Sequence, residues 1–573
     1  MGELDTPTAL AGIIPSPLVG EGQDYTIPSP LVGEGRVGAF QGGGSPIVGV
    51  FPENGLAARR RLFSALEQAF DVCFEGRREG DYEGLAGAVC FGDSPSVADT
   101  RCPTLHFSLP RNNSLPPVGG GLGWGATHPG LVTLSDDELM DVRLRGRSFS
   151  DAMAGGLHEL PVEDGDRALA RCGRSALWVR QRDADGIARY VAAAAPDELD
   201  PNEPLRNRLT QSRFIALLPL IHFLREVRAE RPWMEPSPRA CFIIDDPNLR
   251  APAYGHVNYR DLAAHAARAG YHVTIASIPL DLRSIHPRVR EVFERNRQAI
   301  SVTVHGNNHE RHELLTVRDG ANALRLAAQS IRRTIKFEHR SGLSVSRVMC
   351  APHEECNPLM AEALFQLGFD ALALEPRRQV SAEGQTPNDV LAGWDPARFV
   401  DGLPILPRFR LDISDEDLVF NSYLNLPQVI YCHNRDLKAG LHVLDDAARR
   451  VNRTGQYRWV TPAEIAATNY VSWRRDTDLI VRLYSRRVRL TVPAGIERIR
   501  VAVPRFPGLK MIPSPLVGEG QGGGSVEISL VPEAALSPAA VPAPVWRPWP
   551  RLRRLMTESR DRATPLTRRL RVS

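Results

Sequence analysis

The strongest constraint on the fold is a repeated alternation of apolar β-type runs and amphipathic helical patterns between residues 239 and 473. Seven strands are predicted, at 240–244, 272–278, 300–304, 348–351, 371–374, 403–411 and 429–432. Helices are predicted at 259–269, 288–298, 321–337 and 359–367. Such βα repetition closes into a parallel barrel or a doubly wound sheet. We therefore predict an α/β protein with a distorted parallel (β/α) barrel of about seven strands over residues 236–475.

Polar groups follow several of these strands. The first strand ends in Asp245 and Asp246, the third is followed by H-G-N-N-H (305–309), the fourth by A-P-H-E (351–354) and the seventh by Y-C-H-N (431–434). The carboxyl ends of parallel strands gather at one edge, so we expect these groups to meet there. Charges beside an apolar core cost several kcal/mol unless a metal, a catalytic role or solvent compensates them.

The residue types at these strand ends suit a catalytic metal site. Two imidazoles and one carboxylate leave one position of a Zn²⁺ ion open for water. His305 and His309 are four residues apart and could converge on one ion if a turn of helix follows the third strand. The second acid of the Asp245–Asp246 pair would then be free to act on the water.

These motifs resemble those of the polysaccharide deacetylases of carbohydrate esterase family 4, the NodB-homology superfamily. That family has an Asp-Asp pair after the first strand, an H-x-x-x-H after a later strand and a late histidine. The resemblance implies a Zn²⁺-dependent, or other divalent-metal-dependent, deacetylase acting on a carbohydrate-like substrate. It implies Asp245 as general base, Asp246, His305 and His309 as metal ligands, and His433 as general acid. The expected substrate-binding residues are Asn248, Asn308, His353 and Arg408.

The segment departs from the family in two places. Cys350-Ala351 precedes Pro352 where the family has an arginine that orients the base, so Arg408 or Arg410 would have to replace it. Gly306 stands where a Ser or Thr usually follows the first histidine. Two alternative functions stay open: a catalytically inactive carbohydrate-binding module, and a metal-dependent phosphoester hydrolase.

The flanking regions have their own patterns. Residues 46–235 show the β/α rhythm of a parallel sheet, with a long helix predicted at 205–228. The strand around Cys90 loosely resembles the nucleophile turn of glutamine amidotransferase-like domains. Ala88 replaces its required glycine, however, so we interpret Cys90 as a structural thiol. Short alternating strands predict a small β-sandwich over 476–534.

The nine-residue sequence I-P-S-P-L-V-G-E-G occurs three times, from Ile14, Ile27 and Ile512, followed by Gln, Arg and Gln. It resembles translated intergenic repeats of bacterial genomes, and Pro and Gly at this density disfavour regular structure. We therefore treat residues 1–45 as a low-complexity segment and 512–525 as an insertion into a hairpin loop of the sandwich. Residues 535–573 form a tail with nine arginines from Trp546 onward, which we expect to be disordered or to contact an anionic surface.

Composition limits the kind of protein, the partners and the cellular location that we expect. With 573 residues, 43% hydrophobic content and a net charge of +3, the chain has the composition of a globular protein, so no specific nucleic acid partner is expected. No stretch reaches the ~18 apolar residues of a membrane span. The eight cysteines form no spaced framework and no secretory signal is apparent, so we expect reduced thiols and a cytoplasmic location.

Overall fold

A computed structural model describes residues 25–28, 45–92, 100–108, 128–182, 186–200, 203–210, 213–229, 234–376, 397–502, 509–513, 524–533, 535–545 and 547–572. Most of the predicted low-complexity segment 1–45 lies outside these residues. Its residues 25–28 form a strand, β1 (Tyr25–Pro28). Among the described residues, no helix combines the length and the apolarity needed to cross a bilayer.

The region before residue 235 is an α/β domain built on one nine-stranded sheet. Its elements are β2 (Ile47–Phe51), α1 (Asn54–Ala57), α2 (Arg60–Phe70), β3 (Cys73–Gly76), β4 (Gly87–Phe91), β5 (Thr104–Phe107), β6 (Gly130–Leu134), β7 (Ser148–Asp151), β8 (Arg167–Cys172), β9 (Ser175–Arg180), β10 (Arg189–Ala192), α3 (Asn207–Thr210) and α4 (Phe214–Val227).

The strand order of this sheet is β3-β2-β4-β5-β10-β9-β8-β6-β7. The strands from β3 to β10 run parallel, whereas those from β10 to β7 pair antiparallel. The prediction of a parallel sheet is therefore correct for one half and wrong for the other, where short antiparallel connections replace crossover helices. The long helix predicted at 205–228 is divided into α3 and α4.

The middle region contains a second mixed α/β layer. Its elements are β11 (Arg239–Asp245), β12 (Ala253–Tyr254), β13 (Val257–Asn258), α5 (Tyr259–Ala269), β14 (Val273–Ser277), α6 (Pro287–Arg295), β15 (Ile300–His305), α7 (Gly320–Ser341), β16 (Val345–Cys350), α8 (Pro358–Gln366), β17 (Ala371–Leu374), β18 (Arg398–Val400), β19 (Leu403–Pro407), β20 (Phe409–Arg410), α9 (Asp415–Tyr423), β21 (Gln428–His433), α10 (His442–Asn452), β22 (Arg458–Trp459) and α11 (Pro462–Ala467).

The sheet of this region is curled. Its strand order is β18-β19-β17-β16-β15-β14-β11-β21-β20, and β22 adds to β11. The strands β19 and β20 lie near opposite ends of that order, yet Arg408 alone separates them in sequence. The sheet must therefore curve until one short segment pairs with β17 on one side and with β21 on the other. All seven predicted strands are present, but the predicted strand 403–411 is broken at Arg408.

A small sandwich follows. It consists of β23 (Tyr470–Arg475), β24 (Asp478–Leu483), β25 (Arg487–Val492), β26 (Arg498–Ala502), β27 (Leu509–Pro513) and β28 (Gly524–Pro532). One sheet has the order β1-β26-β24-β23 and the other β25-β28-β27. Both sheets contribute to one core, which includes Val481, Leu490 and Ile528. The sandwich thus begins with β23, a few residues before the predicted boundary, and it also includes β1.

The C-terminal tail contains a helix, α12 (Trp549–Val572). The chain leading to it runs along α7, where Arg332 Nη1 donates to the carbonyl oxygens of Pro538 and Val541, each at 2.6 Å. The expectation of a disordered tail is wrong for these described residues. Pro548 and Pro550 stand at the start of α12, a position that proline favours in helices, and this signal was available in the sequence.

Candidate active site

Asp246, His305 and His309 come together at the carboxyl edge of the middle sheet. One ligand atom from each residue lies within 4.8 Å of the other two. The Oδ1 atom of Asp246 is 3.2 Å from Nε2 of His309 and 3.7 Å from Nε2 of His305. The structure thus brings together the three residues that the sequence pattern proposed as ligands.

Asp246 has the features of a carboxylate that can bind a cation. Its Oδ1 atom is buried and has no hydrogen-bond partner, an arrangement that is costly for an oxygen with nothing to neutralise it. Burial would raise the pKa of Asp246, but the neighbouring His309, His305 and Arg554 lower it below its usual range. The carboxylate is therefore ionised at neutral pH and is available to bind a divalent ion.

His305 is held in the tautomer that a metal ligand needs. It ends β15, is 2% exposed, and its Nδ1 lies 3.1 Å from the carbonyl oxygen of Cys350. A carbonyl only accepts, so Nδ1 carries the proton and Nε2 presents its lone pair towards Asp246. This support from a backbone carbonyl is common for metal-ligating histidines.

His309 is positioned by a loop and not by the expected helical turn. Oε1 of Glu313, a buried side chain, accepts the backbone N–H groups of Asn307 at 2.8 Å, Asn308 at 3.2 Å and His309 at 2.8 Å. Burial lowers the pKa of His309 to about 3, with Asp246 opposing that shift. The ring is therefore neutral and able to bind a metal. Sequence reasoning missed Glu313, because its carboxylate acts on the backbone and belongs to no motif.

Gly306 is required by the same loop. Its φ is +62°, and a Cβ atom there would clash with Oε1 of Glu313 and lie 2.5 Å from Cγ of Pro352. A Ser or Thr at this position would displace the Glu313 carboxylate. The departure of Gly306 from the family pattern is thus a local requirement of this loop.

Unusual backbone conformations concentrate around the cluster. Among the described residues, nine non-glycine residues have positive φ, and five of them are Asp246, His309, His312, His353 and Glu354. Such conformations cost about 1–3 kcal/mol each and persist where surrounding contacts impose them. Their concentration here indicates that the packing holds these side chains in one arrangement.

Asp245 belongs to a buried ion network. Its carboxylate lies 3.2 Å from Nη1 and 3.1 Å from Nη2 of Arg408. Arg408 is 0% exposed, pairs also with Glu354 and lies 4.2 Å from the ring centroid of Tyr431. Arg408 therefore holds the carboxylate of Asp245 in place, and its own side chain has no exposed surface.

His433 ends β21, the strand that pairs with β11, directly opposite Asp245. Its backbone N–H donates to Asp436 at 2.8 Å, and its Nδ1 lies 3.8 Å from the same carboxylate. The ring is half-buried and lines a pocket of about 580 Å³ together with Asp246 and His309. The reciprocal hydrogen bonds between His433 and Asp436, in which the His433 ring accepts the backbone N–H of Asp436, hold the ring at the pocket.

The other residues expected to bind substrate are dispersed. Asn308 lines the pocket. Asn248 is buried, and its Oδ1 accepts from Arg562 of α12 at 3.1 Å. The ring of His353 packs 5.1 Å from that of His309 and is exposed beside the cluster. Of these three residues, only Asn308 belongs to the described lining of the pocket, so contact of Asn248 and His353 with substrate stays a prediction.

The helix α12 covers one side of the site. Arg554 is buried and donates to Oδ2 of Asp281 at 2.6 Å and to the carbonyl oxygen of Asp246 at 2.8 Å. Arg553 donates to the carbonyl oxygen of His309. The tail is thus attached to the backbone of two candidate ligands. No motif in the sequence predicted this contact, because the partners lie hundreds of residues apart.

Comparisons with known proteins give a distant likeness in structure alone. No family model matches the chain, and no curated protein matches its sequence. The chain is similar to a family 4 carbohydrate esterase from Streptomyces lividans in complex with acetate, at 15% identity over 38% of this chain and 87% of that one, with a TM-score of 0.23. It is also similar to a CE4 esterase from Streptococcus mutans, at 12% identity over 39% and 85% of the two chains, with a TM-score of 0.25.

Proposed function

We propose that the middle region is a distorted (β/α) barrel that works as a hydrolase of the deacetylase type, removing N- or O-linked acyl groups from a carbohydrate-like substrate. The observation that carries the proposal is the buried, unpartnered Oδ1 of Asp246 between two histidine nitrogens. Asp246, His305 and His309 would hold a divalent cation such as Zn²⁺. When bound, such an ion acts as a Lewis acid and lowers the pKa of water to about 7.

Asp245 would act as the general base. The guanidinium group of Arg408 lies against both carboxylate oxygens of Asp245, so the orientation of this carboxylate is fixed. The carboxylate of Asp245 contacts Arg408, whereas that of Asp246 lies beside His305 and His309, which would separate proton transfer from cation binding. General bases of this kind accelerate reactions by about 10²–10⁴-fold.

His433 would donate a proton to the leaving amine or alcohol. It lies on the strand beside Asp245 and lines the pocket. The backbone N–H of Asp436 donates to its side chain and helps to hold the ring in place. An acid and a base on neighbouring strands can serve the two ends of one acyl-transfer reaction.

A second candidate is a metal-dependent phosphoester hydrolase, which the four arginines that line the pocket favour. An inactive binding module is less supported. That alternative rested on the absence of an arginine beside the base, and Arg408 lies beside Asp245.

One experiment separates these functions. Purified protein is assayed for bound metal, and then for acetate and phosphate release from panels of acetylated glycans and phosphate esters. Acetate release that is lost in His305→Ala supports the proposal. Phosphate release without acetate release favours the second candidate, and bound metal with neither product favours a module without turnover.

A further inference from the structure

Two pockets adjoin each other between the C-terminal segment and the middle region. The first, of about 580 Å³, contains the candidate ligands Asp246 and His309. The second, of about 750 Å³, lies between the start of α7 and residues 542–551. Asn308 and Pro550 line both. The two pockets therefore form one groove, which begins at the metal cluster and runs along α12; each alone has the size of a small-ligand site.

The first pocket is strongly basic. Four arginines line it, against two aspartates, Asp246 and Asp561. Two of these arginines, Arg553 and Arg554, bind backbone carbonyls and attach α12 to the site. Arg435 comes from the segment that follows His433 and is exposed in the pocket.

The second pocket continues the same charge. Five arginines line it, against Glu310 and Glu313. The carboxylate of Glu313 accepts backbone N–H groups of the loop 307–309, and Arg333 is the arginine whose charge it influences. Taken together, nine arginines face four acidic residues along the groove.

Several of these arginines have no counter-ion among the described residues. Within the part of the chain that the structure describes, no carboxylate lies within 4.0 Å of the guanidinium groups of Arg311, Arg325, Arg435, Arg547 and Arg551. Arginines elsewhere are commonly paired, as Arg143 is with Asp141 at 2.7 Å. Uncompensated charge in a concave site attracts ligands of opposite sign, and guanidinium groups match carboxylates and phosphates in geometry.

We infer that this groove binds an anionic glycan several sugars long, whose carboxylate or phosphate groups pair with the arginines. The placing of the acyl group at Asp246 and His309 rests on the proposed function, whereas binding of the anionic chain does not. The arginine-rich helix α12 and the segment before it then form one wall of the substrate site. The anionic partner that its composition suggests is the substrate itself.

The test measures binding by calorimetry for three oligosaccharides of six sugars each: a uronic acid hexamer, a hexamer of hexoses joined by phosphodiester bonds and a neutral chito-hexamer. The full chain is compared with the double variant Arg325→Gln/Arg551→Gln. The matched control is Arg288→Gln/Arg489→Gln, which removes two exposed arginines that line neither pocket. We expect at least one anionic hexamer to bind about tenfold or more tightly than the neutral one, with affinity that falls as salt rises.

The groove double variant should weaken anion binding about fivefold or more and leave the neutral hexamer unaffected, whereas the control should match wild type. The uronic acid and phosphate arms identify which anion is recognised. Equal affinity for neutral and anionic hexamers, equal loss in both double variants, or tighter binding of a single-stranded oligonucleotide would overturn the inference. Binding requires no turnover, so anion binding without acetate release would count against the proposed function alone.

Discussion

The molecule contains two sheets with parallel strands whose ends carry reactive residue types, and they differ in what surrounds those ends. In the middle sheet, Asp246 has an unpartnered oxygen between two imidazoles. In the first domain, Cys90 is 2% exposed and packs in a small apolar cluster with Phe51, Ala88 and Cys102. A position at a strand end is therefore insufficient for chemistry, and an unsatisfied, ionised group is the better indicator.

Removal of a metal ligand should produce the largest effect. We expect His305→Ala to lose bound metal and to lower acetate release by at least about 10³-fold, because two remaining ligands rarely retain a zinc ion. Metal content is measured by elemental analysis of purified protein. His339→Ala, at an exposed position near the end of α7, is the control. Stoichiometric metal in His305→Ala would contradict the assignment.

Separate substitution of Asp245 and Asp246 should distinguish the roles of these two adjacent acids. Asp245→Asn keeps the shape of the side chain, so we expect bound metal to be retained and kcat to fall by about 10²–10⁴-fold. Asp246→Asn should instead weaken metal affinity, with activity partly restored by added Zn²⁺. Metal content and kcat are measured for both variants. The opposite pattern, with metal lost in Asp245→Asn and kept in Asp246→Asn, would reverse the two roles.

Local patterns predicted the strands of the middle sheet closely. The strand Ala371–Leu374 and the helix Tyr259–Ala269 have the expected bounds, since apolar periodicity and flanking residues report local structure. The grouping of Asp246, His305 and His309 also followed, because parallel strands bring their carboxyl ends together.

Long-range contacts could not be predicted in the same way. The break at Arg408 arises because the segment pairs with two distant strands. The loop before His309 depends on the buried carboxylate of Glu313. The docking of α12 depends on Arg554 meeting Asp281, 273 positions away in sequence. Each of these three features depends on tertiary contacts, which produce no periodic pattern in the sequence.

The loop after β15 offers a test of how firmly the site is fixed. Gly306→Ala should lower the free energy of unfolding by about 1–3 kcal/mol and weaken metal binding, because φ is positive and the new Cβ meets Glu313. Gly320→Ala is the control, since a Cβ there has no atom within 4 Å. Denaturant unfolding and metal titration report both effects. Equal behaviour of the two variants would show that the loop tolerates a side chain and that its backbone is not imposed.

Cys90 should behave as a structural thiol. Burial raises its pKa to about 12, with Cys102 adding to the shift, so only about one molecule in 10⁴ carries the thiolate at pH 8. We expect Cys90→Ala to leave acetate release unchanged and to lower stability by about 1 kcal/mol. Modification by iodoacetamide, followed by mass spectrometry, should be slow at neutral pH and should accelerate as pH rises towards the pKa. Rapid labelling of Cys90 at pH 7 would make the first domain a second reactive centre and remove the contrast between the two sheets.

The smallest effect is expected from shortening the repeat within the sandwich. Ile512 and Pro513 belong to β27, and Gly524 and Ser525 belong to β28, so only residues 514–523 can be removed without loss of paired strand. Pro513 pairs with Ile528, and β28 begins four residues earlier at Gly524. At ~3.4 Å per residue, a replacement must therefore span about 14 Å, which a five-residue Gly/Ser linker can reach. With that linker we expect Tm within about 2 °C of wild type and unchanged metal content, because loop length contributes little to stability. A large fall in Tm would mean that the repeat packs against the sandwich, and a fall in metal content would connect it to the site that α12 covers.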